Sequence, residues 1–220
     1  MRIVMVGATG LVGSLFCDLI LDGRNAELHA IVRRPSGRSA ARYKEHVAPA
    51  EEWPELVSSI AADRAVSALG TTMKAAGSRI SFRAVDLSMV VAFGRAAQSA
   101  GARQIVTVSS VGADPASSNF YLRTKGEMEQ SLAGMEFERL DILRPGLLRG
   151  PRGGERRLGE RLGIFASPLV NLFLLGRLDR FAAIDATDVA AAAAACLGRS
   201  EPGLHVHHND GLRRLAASCG

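Results

Sequence analysis

Short apolar runs alternate with longer stretches of helical spacing along most of the chain. Ile3 to Val6 is uniformly apolar and predicts a strand, and Leu11–Leu21 then repeats apolar residues at helical spacing before stopping near Gly23. Glu27–Val32 predicts a second strand, followed by a polar, Arg- and Ser-rich connection through about Arg42. Trp53 to Ala62 reads as a helix with Pro54 in its first turn, where a missing N–H costs nothing. Ala65–Leu69 is the next strand, and Asp86 stands where a helix N-cap would, ahead of Leu87–Ala100 with Gly101 as the stop. Ile105–Val108 predicts a central strand with no exposed face, Phe120–Leu132 a helix, and Glu138–Leu143 a strand closed by Arg144-Pro145-Gly146. Phe181–Ile184, a helix over Asp188–Leu197, a strand over Leu204–His207 and a last short helix complete the series. This alternation defines an α/β protein with a doubly wound parallel sheet and helices on both faces. Between Leu147 and about Leu178 the pattern loosens, turning basic and then apolar, so residues 147–180 are assigned to a small C-terminal substrate lobe on an otherwise single domain of residues 1–220.

The first strand runs directly into Gly7-Ala8-Thr9-Gly10-Leu11-Val12-Gly13. A turn this tight needs residues without Cβ, so that the backbone can take positive φ and a ligand can approach the amides. The free N–H groups of the following helix then face an anion, for which a dinucleotide pyrophosphate is the usual occupant of a Rossmann sheet. Glycine spacing alone is weak, but here a strand precedes it and a helix follows, which is the context the motif requires.

Composition removes several alternatives. Apolar residues make up 47% of the 220-residue chain and charged residues 22%, as in a globular enzyme rather than a disordered tail. Cys17, Cys196 and Cys219 are odd in number and far apart, which argues against a disulfide framework, and Cys17 fits the packing side of the first helix. With no basic leader ahead of the first strand, the expectation is a cytoplasmic protein. Leu162 to Leu175 is interrupted by Ser167, Pro168 and Asn171 and is too short to span a bilayer, so no membrane partner is expected. A net charge of +5 and a pI of about 9.6 raise the question of nucleic acid. The arginines instead form two groups, Arg33, Arg34, Arg38 and Arg42, then Arg149, Arg152, Arg156, Arg157 and Arg161, with no aromatic residues interleaved for base stacking. Two local phosphate-facing clusters account for the excess, and no nucleic-acid partner is expected.

Arg33 and Arg34 follow the second strand directly, where an NAD-binding chain usually offers an acid to the ribose hydroxyls. Guanidiniums there would give fork-shaped, charge-assisted hydrogen bonds to a 2′-phosphate, which points to NADP(H). Further on, Ser109-Ser110 ends the central strand, and Tyr121 and Lys125 sit at i and i+4 of the next helix, so phenol and ammonium share a face. A neighbouring cation stabilises phenolate, which suits acid/base work. His205 and His207 share a face of the last strand, but no carboxylate or cysteine partner is suggested nearby and no metal is assigned. Asp188 opens an alanine-rich helix and reads as a cap rather than as one of an acid pair with Asp185.

Taken together, GATGLVG, VRR, ALGTT, VSSVGAD, SSNFYLRTKGEME and ILRPGLLRGPR resemble the atypical short-chain dehydrogenases/reductases, and within them the Tat-interacting-protein-like oxidoreductases. The resemblance runs from Arg2 to about Asp188 and is most specific over Ser109–Glu129. It implies that Thr9, Gly10, Leu11 and Val12, between Gly7 and Gly13, hold the pyrophosphate, that Arg33 and Arg34 hold the 2′-phosphate, and that Leu69 and Gly70 flank the adenine–ribose side. Tyr121 would be the proton donor or acceptor, Lys125 would bind the nicotinamide ribose and favour the phenolate, and Ser110, ahead of Ser109, would orient the substrate. Leu148 would pack near the nicotinamide and Arg156 would reach the cofactor from the lobe. The Ser–Tyr interval is shorter than in the larger short-chain families.

The expected function is NADP-dependent oxidation or reduction of a small carbonyl or alcohol by a monomer or homodimer. An NADP(H)-sensing regulator without turnover, and an epimerase- or dehydratase-like enzyme, are the alternatives. The Tyr121/Lys125 pair favours chemistry, and the lobe after Leu147 looks small for a sugar nucleotide.

Overall fold

The computed structural model describes residues 1–23, 26–150 and 180–218. Seven parallel strands form the sheet: β1 (Arg2–Val6), β2 (Glu27–Val32), β3 (Tyr43–Val47), β4 (Arg64–Ser67), β5 (Gln104–Val108), β6 (Arg139–Leu143) and the last strand, β9 (Gly203–His207). Their spatial order is β3-β2-β1-β4-β5-β6-β9. The chain therefore winds outward from β1 to β3 and returns to the other side of β1 at β4. That reversal opens a crevice at the carboxyl ends of β1 and β4, the usual ligand position in open parallel sheets.

Alternation along β1 divides the core. Ile3 and Met5 face α1 (Leu11–Asp22), where they meet Val12, Phe16 and Cys17, and the same layer takes in Val189 and Ala193 of α7 (Ala186–Leu197) and Leu212 and Leu215 of α8 (Asn209–Ala217). Val4 and Val6 face the opposite layer, with Val57 of α2 (Trp53–Ser58), Phe93 of α5 (Val90–Ser99) and Met128 and Leu132 of α6 (Phe120–Ala133). Both sheet faces are covered, so the inner strands are largely apolar, with His29, Ser67, Gln104, Thr107, Arg139 and Asp141 as buried polar exceptions.

Four differences from the sequence reading have local causes. The connection expected through Arg42 ends in an edge strand, β3, which pairs with β2 from Leu28–Tyr43 to Val32–Val47. Helix α2 stops at Ser58, where the Ser58 and Ser59 hydroxyls donate to the carbonyls of Pro54 and Leu56 and compete with further helix. Asp86 is no cap: after short helices α3 (Met73–Ala76) and α4 (Arg79–Arg83) it lies inside a π-helical turn, Ala84–Met89, that runs on into α5. Asp188 lies in the first turn of α7 while Asp185 holds the cap position, and neither side chain caps the helix. Two short strands, β7 (Leu148–Arg149) and β8 (Ile184–Asp185), pair beside the main sheet. Most of the expected lobe, residues 151–179, lies outside the described residues.

Helix α6 is fixed at three points. Asn119 Oδ1 accepts from the Tyr121 and Leu122 amides at 2.9 and 3.2 Å, the Glu129 carboxylate takes a forked hydrogen bond from Arg144 at the end of β6, and Gly126 lies against the backbone of the loop after β5. A Cβ at Gly126 would stand 2.2 Å from Asp114 C and from Pro115 N. Gly126→Ala is accordingly expected to destabilise the fold by about 1–3 kcal/mol through overpacking, read as a lower urea midpoint; an unchanged midpoint would show that the loop yields freely.

Candidate active site

The glycine turn after β1 is built from close backbone contacts. Gly7 adopts φ +85°, and a Cβ there would lie 2.4 Å from the carbonyl carbon of Ala68, just past β4; a Cβ at Gly13 would lie 2.0 Å from the Gly7 oxygen. The Gly10 amide donates to Gly7 O at 3.0 Å, and Gly10 caps α1 with no side chain over the helix start. The first amides of α1, from Leu11, Val12 and Gly13, have no acceptor of their own in the helix. A bare backbone cradle at the N-terminus of a 12-residue helix fits the pyrophosphate of a dinucleotide.

Beside it, a cleft of about 590 Å³ is lined by Ala8, Thr9, Ser14, Pro35, Ser36, Gly37 and Arg38. Arg33 and Arg34 are exposed at the end of β2, just short of that lining. Arg38 belongs to it: its guanidinium donates to Ser14 O at 3.2 Å and pairs with Asp18 of α1. The sequence reading placed Arg38 in the first, phosphate-facing basic group without singling it out, because nothing in that polar connection marks which guanidinium turns back onto α1.

On the other side of the crevice, α6 carries Tyr121 and Lys125 one turn apart. The Tyr121 ring packs 5.4 Å, centroid to centroid, from Phe82 of α4. The Lys125 side chain is 4% exposed, and its Nζ lies 2.8 Å from Oδ1 of Asp86, which is fully buried. The second Asp86 oxygen accepts from the Thr71 amide at 2.8 Å, so one carboxylate joins α6 to the turn after β4. Ser109 is buried and its Oγ has no hydrogen-bond partner among the described residues; Ser110 is half-buried and its Oγ reaches the Val111 carbonyl at 3.4 Å. Of the two serines, Ser110 has the more accessible hydroxyl. The fold brings Tyr121, Lys125, Ser110 and Gly70 to the same carboxyl edge as the glycine turn, while among the described residues no hydrogen bond joins the Tyr121 and Ser110 hydroxyls. Leu69 packs on the α5–α6 core layer and Leu148 on the α1–α7 layer. Gly150 backs onto Leu11 and Ala186, which sets β7 over the start of α1. The Arg156 position lies outside the described residues.

This crevice, with its glycine cradle and helix N-terminus, is that of a nucleotide-binding α/β protein. Residues 7–200 match the NAD(P)H-binding family, and the chain belongs to it. Among curated relatives, Protein FMP52-1, mitochondrial, of Scheffersomyces stipitis is 36% identical over 74% of this chain and 74% of its own length. Protein FMP52, mitochondrial, of Eremothecium gossypii is 36% identical over 77% of each. Among solved structures, the Bordetella bronchiseptica enzyme WbmH in complex with NAD+ superposes with a TM-score of 0.70 at 14% identity, covering 99% of this chain and 79% of that one. The oxidoreductase ylbE from Lactococcus lactis gives 0.70 at 18% identity, covering 99% and 96%. These superpositions show the Rossmann-type fold. The relatives' names also correct the expectation of a cytoplasmic protein. That expectation rested on the lack of a basic leader ahead of the first strand, a feature that the names of these relatives outweigh.

Away from the crevice, Asp141, Cys196 and His207 bring one ligand-type atom each within 4.8 Å of one another. The sequence reading saw no acid near the histidines because Asp141 comes from β6, next to β9 in the sheet. The carboxylate is already engaged. Arg139 forks onto both oxygens at 2.7 and 2.8 Å, Gln104 donates to Oδ2 at 2.8 Å, and His207 Nε2 lies 2.9 Å from Oδ1. The Arg139 guanidinium already supplies the cation at this carboxylate. The cluster is therefore a polar core network. Burial alone would raise the Asp141 carboxyl, but hydrogen bonds with His207, Arg139 and Gln104 outweigh it and hold it at about 2, against an ordinary value of 3.8. Its contribution to stability is complete above the ordinary value and fades as pH falls toward about 2. Urea midpoints should show Asp141→Asn less stable than the parent at pH 5, with the gap closing by about 2 kcal/mol as pH falls; a gap that stays constant would contradict the assignment.

Proposed function

We propose that the chain is an NADP(H)-dependent oxidoreductase of a small carbonyl or alcohol, of the Tat-interacting-protein-like kind, with Tyr121, Lys125 and Ser110 as its reacting constellation. The observation that carries this reading is Lys125: its ammonium is buried at the carboxyl edge of the sheet, one helical turn from a phenol on the same helix. A protein that only senses the cofactor has no need of that pair.

The nicotinamide, when bound, supplies or takes the hydride. Gly7, Gly10 and the first amides of α1 hold the pyrophosphate. Lys125, one helical turn from Tyr121, donates to the neighbouring ribose. Tyr121 passes its phenolic proton to the carbonyl oxygen in reduction and recovers it in oxidation. Ser110 donates to the same oxygen and orients it. The preference for NADP(H) rests on Arg33 and Arg34 at the end of β2, with Arg38 as a third guanidinium in the adjoining cleft.

Two measurements test the reading. Arg33→Ala/Arg34→Ala is expected to weaken NADPH binding by about 1–3 kcal/mol while sparing NADH; equal losses for both cofactors would remove the 2′-phosphate assignment. Against a panel of aldehydes, ketones and quinones, the parent protein should oxidise NADPH, and Tyr121→Phe should bind NADPH as before without turnover. Parent protein that binds NADPH and turns over nothing would instead identify a sensor.

A further inference from the structure

Asp86 has no place in the reading above, yet its surroundings set it apart from an ordinary structural acid. It is fully buried, and its two oxygens are divided between two elements: Oδ1 toward Lys125 Nζ at 2.8 Å and Oδ2 on the Thr71 amide at 2.8 Å. The side chain projects from a widened π-helical turn, Ala84–Met89, and such turns concentrate at functional sites. Burying a carboxylate and an ammonium together costs several kcal/mol per ion, and well-packed apolar residues serve stability at least as well. A core contact is thus a poor reason to place both ions here.

Gly70 supplies the second observation. It is exposed, and a Cβ at that position would stand 3.6 Å from Asp86 Oδ1 and 3.9 Å from Lys125 Nζ. The buried pair therefore lies directly behind one bare stretch of backbone. That backbone continues from Ala68 and Leu69, the residues against which Gly7 of the glycine turn is pressed. Pair, window and pyrophosphate cradle share one continuous wall of the crevice.

We propose that Asp86 is a positioning residue for the cofactor: it clamps the Lys125 ammonium and the Gly70–Thr71 turn into one unit, so that Lys125 keeps a fixed direction and presents its remaining N–H groups to the nicotinamide-side ribose. Asp86 itself touches no ligand. It acts through Lys125, and its charge matters because Oδ1 faces the ammonium at 2.8 Å as its ion-pair partner. This inference rests on the NADP(H) reading for the identity of the ligand and extends it to a residue the glycine and Tyr–Lys motifs do not contain.

The test compares two probes on the full chain by calorimetry: NADPH, and adenosine 2′,5′-bisphosphate, which keeps the adenosine half and lacks the nicotinamide ribose. Asp86→Asn keeps the volume and an acceptor for Thr71 but removes the charge. It should weaken NADPH about tenfold, the loss of one charge-assisted hydrogen bond, and leave the bisphosphate unchanged. Asp86→Glu should recover part of the NADPH affinity. In a Lys125→Met background, Asp86→Asn should cost nothing further, since the effect passes through the lysine. Equal weakening of both probes would mean a general structural role and would overturn the proposal, as would unchanged NADPH affinity in Asp86→Asn, or a full loss persisting beside Lys125→Met. If Asp86→Asn does not fold, the Lys125→Met chain must still lose NADPH affinity selectively, and failure to do so overturns the proposal equally. Parent protein that binds neither probe would instead defeat the cofactor reading itself.

Discussion

The carboxyl edge of the sheet depends on one contact between bare backbones. Gly7, at the end of β1, sits so close to Ala68 and Leu69 beyond β4 that no side chain fits between them. This approach lets the chain turn at once into α1 with its first amides free. It also fixes the position of the turn after β4, whose Thr71 amide is the anchor for Asp86, whose carboxylate in turn meets Lys125. Two strands adjacent in the sheet thus share a single wall, and residues far apart in sequence are aligned by it.

Helix α6 reaches that wall from the other side with little freedom. Its start is set by Asn119, its depth by Gly126 against the Asp114–Pro115 backbone, and its far half by the forked Arg144–Glu129 pair. Arg144 begins the Arg-Pro-Gly segment, and Gly146 is pinned in turn by Asn209, which accepts from the Gly146 amide at 2.9 Å and donates to the Ala182 carbonyl at 2.7 Å. The placement of Tyr121 and Lys125 is a property of these supports as much as of their own spacing.

Features decided by local physics were legible in the sequence. The β1–turn–α1 unit, the inner strands and the reach of α6 follow from apolar period, glycine and cap chemistry, and the structure has them within a residue or two. Features decided by distant neighbours were not. Strand β3, Tyr-Lys-Glu-His-Val, is an edge strand whose half-polar alternation is hard to tell from loop until β2 is beside it. Asp86 resembled a helix cap because an acid ahead of an apolar helix usually is one; its actual partner, Lys125, is supplied by another helix. Asp141 and His207 were likewise separated until β6 and β9 paired. Arg38 lay in a polar connection whose path no periodicity defines. In each case the missing information was a long-range pairing, which single-chain patterns do not encode.

The π-helical turn has a consequence for how this segment tolerates change. An α-helix advances about 100° per residue, and the extra residue held between Ala84 and Met89 is what keeps α4 and α5 in their present phase. Were the segment to relax into regular helix with its length unchanged, one half would swing relative to the other by that angle, and either Phe82 would leave its place behind Tyr121 or Phe93 would leave the core. The widened turn is therefore what lets both aromatic contacts coexist.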